Sequence, residues 1–169
     1  MLYTGYRYGW TPRILGFTFM ATGVSGIVVQ MFLVGPVVAR IGERGAVLLG
    51  ATGGILGFLI YALAPNGWSY LMGVPIFAMM SFMPPGLMGL MTRRVGPTHQ
   101  GELQGANQSL MGVSSVIGPP LFGLTFAWSI RREASLHMPG MAILISAALL
   151  TAALLLALRV ARPVAAAAP

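Results

Sequence analysis

The stretch GPVVARIGERGAVLLG, Gly35–Gly50, sets Arg40, Glu43 and Arg44 within five residues, in a chain whose 169 residues carry only ten arginines and three glutamates as formal charges. On either side the sequence turns apolar, from Ile14 to Ala39 before it and from Ala46 to Ala64 after it, without a single charge. Each run is near the roughly 17–25 residues that a helix needs to cross a hydrocarbon core about 30 Å thick. The stretch therefore reads as a charged turn, Arg40 to Gly45, between two membrane-crossing helices. Gly35-Pro36 is expected to break the end of the first helix. Glu43 suits the N-terminal end of the second helix and is expected to pair with Arg40 three positions back.

Working outward, three more uncharged apolar segments follow: Ser69 to Met91, Leu103 to Trp128, and Met141 to Leu158. Their apolar side chains run all round rather than alternating with period two, and each is about twice as long as a barrel strand of roughly 10 residues. The expected fold class is an all-α membrane protein with five transmembrane helices. Composition agrees, since 56% of residues are hydrophobic and 8% charged, whereas a soluble domain carries about 25% charge. The net charge of +7 comes entirely from arginine. Those arginines lie in ones and twos between apolar runs instead of on one face, which argues against nucleic acid as a partner. With no Cys and no Asp, the chain has no thiolate metal site, no disulfide and no paired-aspartate chemistry. His99 and His137 fall in loops expected on opposite sides, so neither serves a buried nucleophile. No catalytic residue, metal site or enzyme activity is expected.

The breaks between segments carry turn signals: Pro65-Asn66-Gly67, the basic then Gly/Pro-rich stretch 93–101, the polar stretch 129–140, and Arg159 to Arg162. Tyr3, Tyr6, Tyr8, Trp10, Trp68 and Trp128 are expected to form an interfacial belt on one side. Counting arginines by side gives six with the C-terminus (Arg40, Arg44, Arg93, Arg94, Arg159, Arg162) and four opposite (Arg7, Arg13, Arg131, Arg132). Positive-inside then puts the C-terminus in the cytoplasm of a multi-pass inner (plasma) membrane protein. Arg7 and Arg13, ahead of the first helix, would sit more comfortably outside if another helix preceded Met1.

Gly35, Arg40, Gly42 and Arg44 resemble the loop signature of the major facilitator superfamily, Gly-x-x-x-Asp-Arg/Lys-x-Gly-Arg/Lys-Arg/Lys. Ala39 stands for its Asp and Glu43 for a basic residue. YTGYRYGW, GPVVARIGER, RRVGPTHQGELQG and SSVIGPPLFG occur in the order seen in the second half of tetracycline-efflux and related drug:proton antiporters. The resemblance implies helices eight to twelve of a twelve-helix transporter, with the first half absent from the chain. It divides the sequence into a 1–13 extracytoplasmic loop remnant, a 14–162 five-helix bundle and a 163–169 disordered tail. It also implies a gating loop at Gly35, Arg40, Gly42, Glu43 and Arg44, and a proton gradient as driving force, with no cofactor.

Within the helices, Asn107, Met111, Ser114 and Gly118 share one face, and Gln108, Gly112, Ser115 and Pro119 its neighbour. Polar groups are costly toward lipid. Gln30, Asn107, Gln108, Met111, Ser114 and Ser115 are thus candidate cavity-lining residues, although serines and amides also bond between helices without touching a ligand. Thr18, Thr22 and Ser25 share a stripe with Gln30. Pro84, Pro85, Gly118, Pro119 and Pro120 are candidate helix kinks; Gly118 to Gly123 resembles an antiporter signature in which Phe122 replaces a glycine. Gly50, Gly53, Gly54 and Gly57 read as close helix packing. Met79, Met80, Met83, Met88 and Met91 give the third helix an adaptable surface, as packing or as cavity wall. Glu102 reads as a helix-start residue.

Taken together, the expected function is proton-coupled efflux of a drug such as tetracycline by the C-terminal part of a transporter. Its expected partners are the lipid bilayer, an N-terminal transporter half and a small amphipathic substrate. The competing reading is an inert membrane fragment, a truncated product or a mis-started gene.

Overall fold

Gly42 takes φ 72° and ψ 171°, a backbone region open in practice only to glycine. The consequence is a reversal. The computed structural model, which describes residues 2–131 and 140–160, has helical structure from Pro12 to Leu63. At 1.5 Å per residue a straight rod of that length would reach about 78 Å, more than twice a hydrocarbon core of about 30 Å. Gly42 instead folds the run into a hairpin. Val34 and Ala46, on opposite sides of the reversal, share one buried cluster with Phe82. Deeper in the hairpin, Gly26 and Gly53 meet the same turn of the third rod, at Ser81 and Met79.

The elements are α1 (Leu2–Tyr8), α2 (Pro12–Val28), a π-turn (Val29–Leu33), α3 (Val34–Leu63, reversed at Gly42), α4 (Gly67–Ala78), a 3₁₀ turn (Met79–Phe82), α5 (Met83–Thr92), a short 3₁₀ turn (Pro97–His99), α6 (Gln100–Arg131) and α7 (Met141–Val160). No strand occurs among the described residues. Four continuous helical runs are long and apolar enough to cross a membrane: Pro12–Leu63, Gly67–Thr92, Gln100–Ser129 and Met141–Arg159. With the first divided at Gly42, they supply five spans.

Several expectations are corrected. The charged turn is one residue long, and helix continues through Arg40 and again from Glu43. Gly35-Pro36 does not end a helix. Pro36 has no N–H for the Phe32 carbonyl, and the strain is absorbed one turn earlier, where the Val34 N–H bonds back five residues to Val29. Pro84 and Pro85 interrupt the third span in the same way: the Met80 carbonyl, which Pro84 cannot serve, accepts from the Met83 N–H three residues on. By contrast α6 runs unbroken through Gly118, Pro119 and Pro120. Residues 163–169, His137 and most of the polar stretch 129–140 lie outside the described residues.

The N-terminal stretch is a helix, α1, and not a loop. Of the residues expected in an aromatic belt, Tyr6, Trp68 and Trp128 are exposed, whereas Tyr3, Tyr8 and Trp10 turn inward. Tyr3 is buried, and its hydroxyl donates to the Tyr61 and Ala62 carbonyls at 3.0 and 3.2 Å. The Tyr8 hydroxyl donates to the Ala64 carbonyl at 2.7 Å, which also accepts from Arg7 Nε at 3.2 Å. These are carbonyls at the C-terminal end of α3, which have no intrahelical donor because Pro65 ends the helix. Burial, helped by the neighbouring Tyr8, pushes the Tyr3 phenol far above its usual range, so it stays a donor. Trp10 and Tyr70 pack edge-to-face beside this cap, while Trp68 is left exposed.

The second limb of α3 is the hub, packed on α4, the 79–82 turn, α5 and α7. Its small-residue stripe makes this close approach: a Cβ on Gly53 would lie 2.5 Å from Met79 Cβ. At the edge, α6 meets mainly α7 and touches α5, and only 6% of its apolar window is buried against 50% for Pro12–Leu63.

Two motif glycines separate backbone strain from packing, because no atom crowds a Cβ at either Gly35 or Gly42. Gly42→Ala is expected to lower stability by about 1–3 kcal/mol, while Gly35→Ala, at a helical position, leaves it equal or slightly higher. Thermal unfolding in detergent micelles, followed by circular dichroism, reads the difference. In the same assay Tyr3→Phe is expected to cost about 1–3 kcal/mol, since it leaves buried carbonyls of α3 without a donor.

Candidate functional site

Glu43 opens the second limb of α3, directly after the reversal. Its carboxylate receives Arg93 Nη2 at 2.5 Å from the end of α5. This corrects the expected Arg40–Glu43 pair, for the reversal at Gly42 puts those two side chains on different limbs. What brings Glu43 to α5 is the absence of side chains there. A Cβ on Gly86 would lie 2.8 Å from the Glu43 carbonyl oxygen, and one on Gly89 2.5 Å from Glu43 Cγ. Gly86, Gly89 and Arg93, at i, i+3 and i+7, form one helix face. Sequence reading missed Arg93, yet that spacing carries the signal. Arg93 is largely exposed, so the pair contributes about 0.2–1 kcal/mol.

Of the gating-loop residues, Gly35 lies in α3's first limb, Gly42 makes the reversal, Glu43 bonds Arg93, and Arg40 and Arg44 have no ion pair with a described residue.

Between the π-turn, the 79–82 turn, α5 and α6 lies an open-sided cavity of about 530 Å³. Gln30, Asn107 and Met111 line it with Met80, Met83, Pro84, Pro85, Leu87, Met88 and Met91. Each wall follows from local chemistry. The Pro36-driven π-turn carries Gln30. Pro84 and Pro85, which break regular bonding in the third span, contribute their rings. Thioethers supply a polarizable, deformable surface. No charged side chain lines the space, and neither amide makes a side-chain hydrogen bond with a described residue. Two unengaged amides in an apolar, methionine-rich chamber can orient a flat or irregular ligand that carries hydrogen-bonding groups.

The other candidates go elsewhere. Ser114 and Ser115 donate back to the Leu110 and Gly112 carbonyls of their own helix, and neither they nor Gln108 line the cavity. The polar faces of α6 therefore contribute Asn107 and Met111 to the cavity, and not the whole stripe. Thr18 and Thr22 likewise bond back to the Ile14 and Thr18 carbonyls. Met79 packs in the cluster around Val34, Ala46 and Phe82 instead of lining the cavity. Glu102 falls in the first turn of α6. Among the described residues no group of His, Asp or Glu could hold a metal ion.

The sequence model of the Major Facilitator Superfamily matches residues 1–169. The chain belongs to that superfamily. As a superfamily member it is an integral membrane protein with a multi-helix fold. It is 30% identical over 126 residues to the class C tetracycline resistance protein of Escherichia coli, covering 73% of this chain and 31% of that protein. It is 31% identical over 134 residues to the class G protein of Vibrio anguillarum (79% and 34%). With the class B protein of Escherichia coli the identity is 32% over 130 residues (77% and 32%). The chain thus spans about a third of the length of the curated relatives it matches. No solved structure matches it.

A double-mutant cycle of Glu43→Gln and Arg93→Gln is expected to give a coupling of about 0.2–1 kcal/mol in stability, shrinking as salt is raised. Arg40→Gln should show no coupling with Glu43→Gln; coupling there and none with Arg93 would restore the local pair.

Proposed function

We propose that the chain is the C-terminal part, helices eight to twelve, of a drug-efflux transporter, acting with an N-terminal half in the inner (plasma) membrane. The observation that carries the reading is the cavity. It is large enough for a drug-sized molecule, is walled by methionines and prolines, and has Gln30 and Asn107 free to bond a ligand. The similarity to tetracycline resistance proteins supports an amphipathic, ring-bearing substrate such as tetracycline. The arginine count, six against four, supports a cytoplasmic C-terminus.

Alternating access then consists of this bundle rocking against its partner around the cavity. The π-turn and the 79–82 turn, where regular helical bonding is already relaxed, are the places where α2 and the third span bend. Proton coupling needs a titratable group at the substrate, and the lining residues include none. In this reading the coupling carboxylate belongs to the N-terminal half, which makes both halves necessary for transport.

Tetracycline accumulation is measured in cells expressing this chain alone, together with a matching N-terminal half, and as one continuous protein. The expected result is no change for the chain alone and lowered accumulation for the other two. In the active forms, Asn107→Ala or Gln30→Ala is expected to weaken efflux about fivefold, as loss of one hydrogen bond implies, and Met111→Trp to block it by filling the cavity. If the continuous protein changes the accumulation of no tested compound, the efflux assignment fails.

A further inference from the structure

The end of the bundle that carries the Glu43–Arg93 pair is short of negative charge. Arg40, Arg44, Arg93 and Arg94 gather there around a single glutamate, and Arg93 takes it. Arg44 and Arg94 make no ion pair or side-chain hydrogen bond with any described residue. The chain has no aspartate and only two other glutamates, of which Glu102 pairs with no described arginine. Arg44 and Arg94 are therefore left with their charge unmatched by any described residue of this chain.

The surroundings of the two arginines say what would match it. Arg44, on α3, and Arg94, just beyond α5, border one groove of about 130 Å³ whose walls include Val47, Leu87, Leu90 and Leu158. The groove is thus shared by α3, α5 and α7, with cations at its rim and hydrocarbon along its length. A free inorganic anion would satisfy the rim and leave the walls empty. An uncharged lipid tail would do the reverse. A guanidinium presents paired N–H donors that match phosphate oxygens, and basic pockets between spanning helices suit anionic headgroups.

We propose that this groove is a binding site for one anionic phospholipid. Its phosphodiester is held between Arg44 and Arg94, and one acyl chain lies along Val47, Leu87, Leu90 and Leu158. The proposal requires only that the chain spans a membrane and is independent of the transport reading.

The test is native mass spectrometry of the full chain released from nanodiscs of equal phosphatidylglycerol and phosphatidylcholine. The expected result is one retained phosphatidylglycerol, preferred by about fivefold for each contributing arginine. Arg44→Gln with Arg94→Gln is expected to remove the preference. Arg40→Gln with Arg159→Gln removes as much charge at the same end but outside the groove, and is expected to leave it. Leu87→Trp, which fills the groove without changing charge, is expected to lower retention of the lipid. Arg44→Lys with Arg94→Lys, which keeps the charge and guards against misfolding of the glutamine variants, should retain part of the preference. The proposal is overturned if the groove variants keep the full preference or if the off-groove pair abolishes it equally. It is also overturned if millimolar inorganic phosphate displaces the lipid, which would mark the site as one for free anions.

Discussion

A single backbone reversal underlies the arrangement. Helix extends on both sides of Gly42, and without a reversal there it would make a rod too long for any bilayer. Because Gly42 alone adopts φ 72°, the two limbs fold back, Val34 meets Ala46 across Phe82, and the second limb becomes the axis on which α4, α5 and α7 pack. Glu43 takes its position from the same event, since it is the first residue after the reversal and points toward the glycine face of α5.

Proline distributes the irregularity. Pro36, Pro84 and Pro85 each remove a donor from a helix that must satisfy its backbone without water. The chain answers with a π-turn at Val29–Leu33 and a 3₁₀ turn at Met79–Phe82. These relaxed turns come together beside the cavity, so the residues that disturb the helices also shape the chamber between them. In α6 the adjacent Pro119 and Pro120 leave no comparable break, and that helix stays at the edge of the bundle.

Much of this was legible in the sequence. Long uncharged runs determine spans, because lipid tolerates little else, and Gly50, Gly53 and Gly57 announced a tight helix contact that Met79, Met83 and Phe77 fill. In the cavity, Gln30, Asn107 and Met111 were readable as costly or adaptable groups within apolar helices. What was not legible depended on which surfaces met. A serine within a span reads the same whether it faces a ligand or folds back on its own carbonyl, as Ser114 does. Tyrosines before a helix read as interfacial until α3 is found to end beneath them. Glu43 had several arginines within reach along the chain, and only the bare face of α5 selected Arg93.

The tyrosine cap has a mechanical consequence. α1 hangs from the end of α3 by the Tyr3, Arg7 and Tyr8 bonds, while it joins α2 through Gly9, whose φ is 62°. Tension applied to α1 is therefore shared between its covalent link to α2 and its hydrogen bonds to the central rod of the bundle. The opening segment is thus tied to the hub by side-chain hydrogen bonds and to α2 only by the chain itself, through the left-handed turn at Gly9.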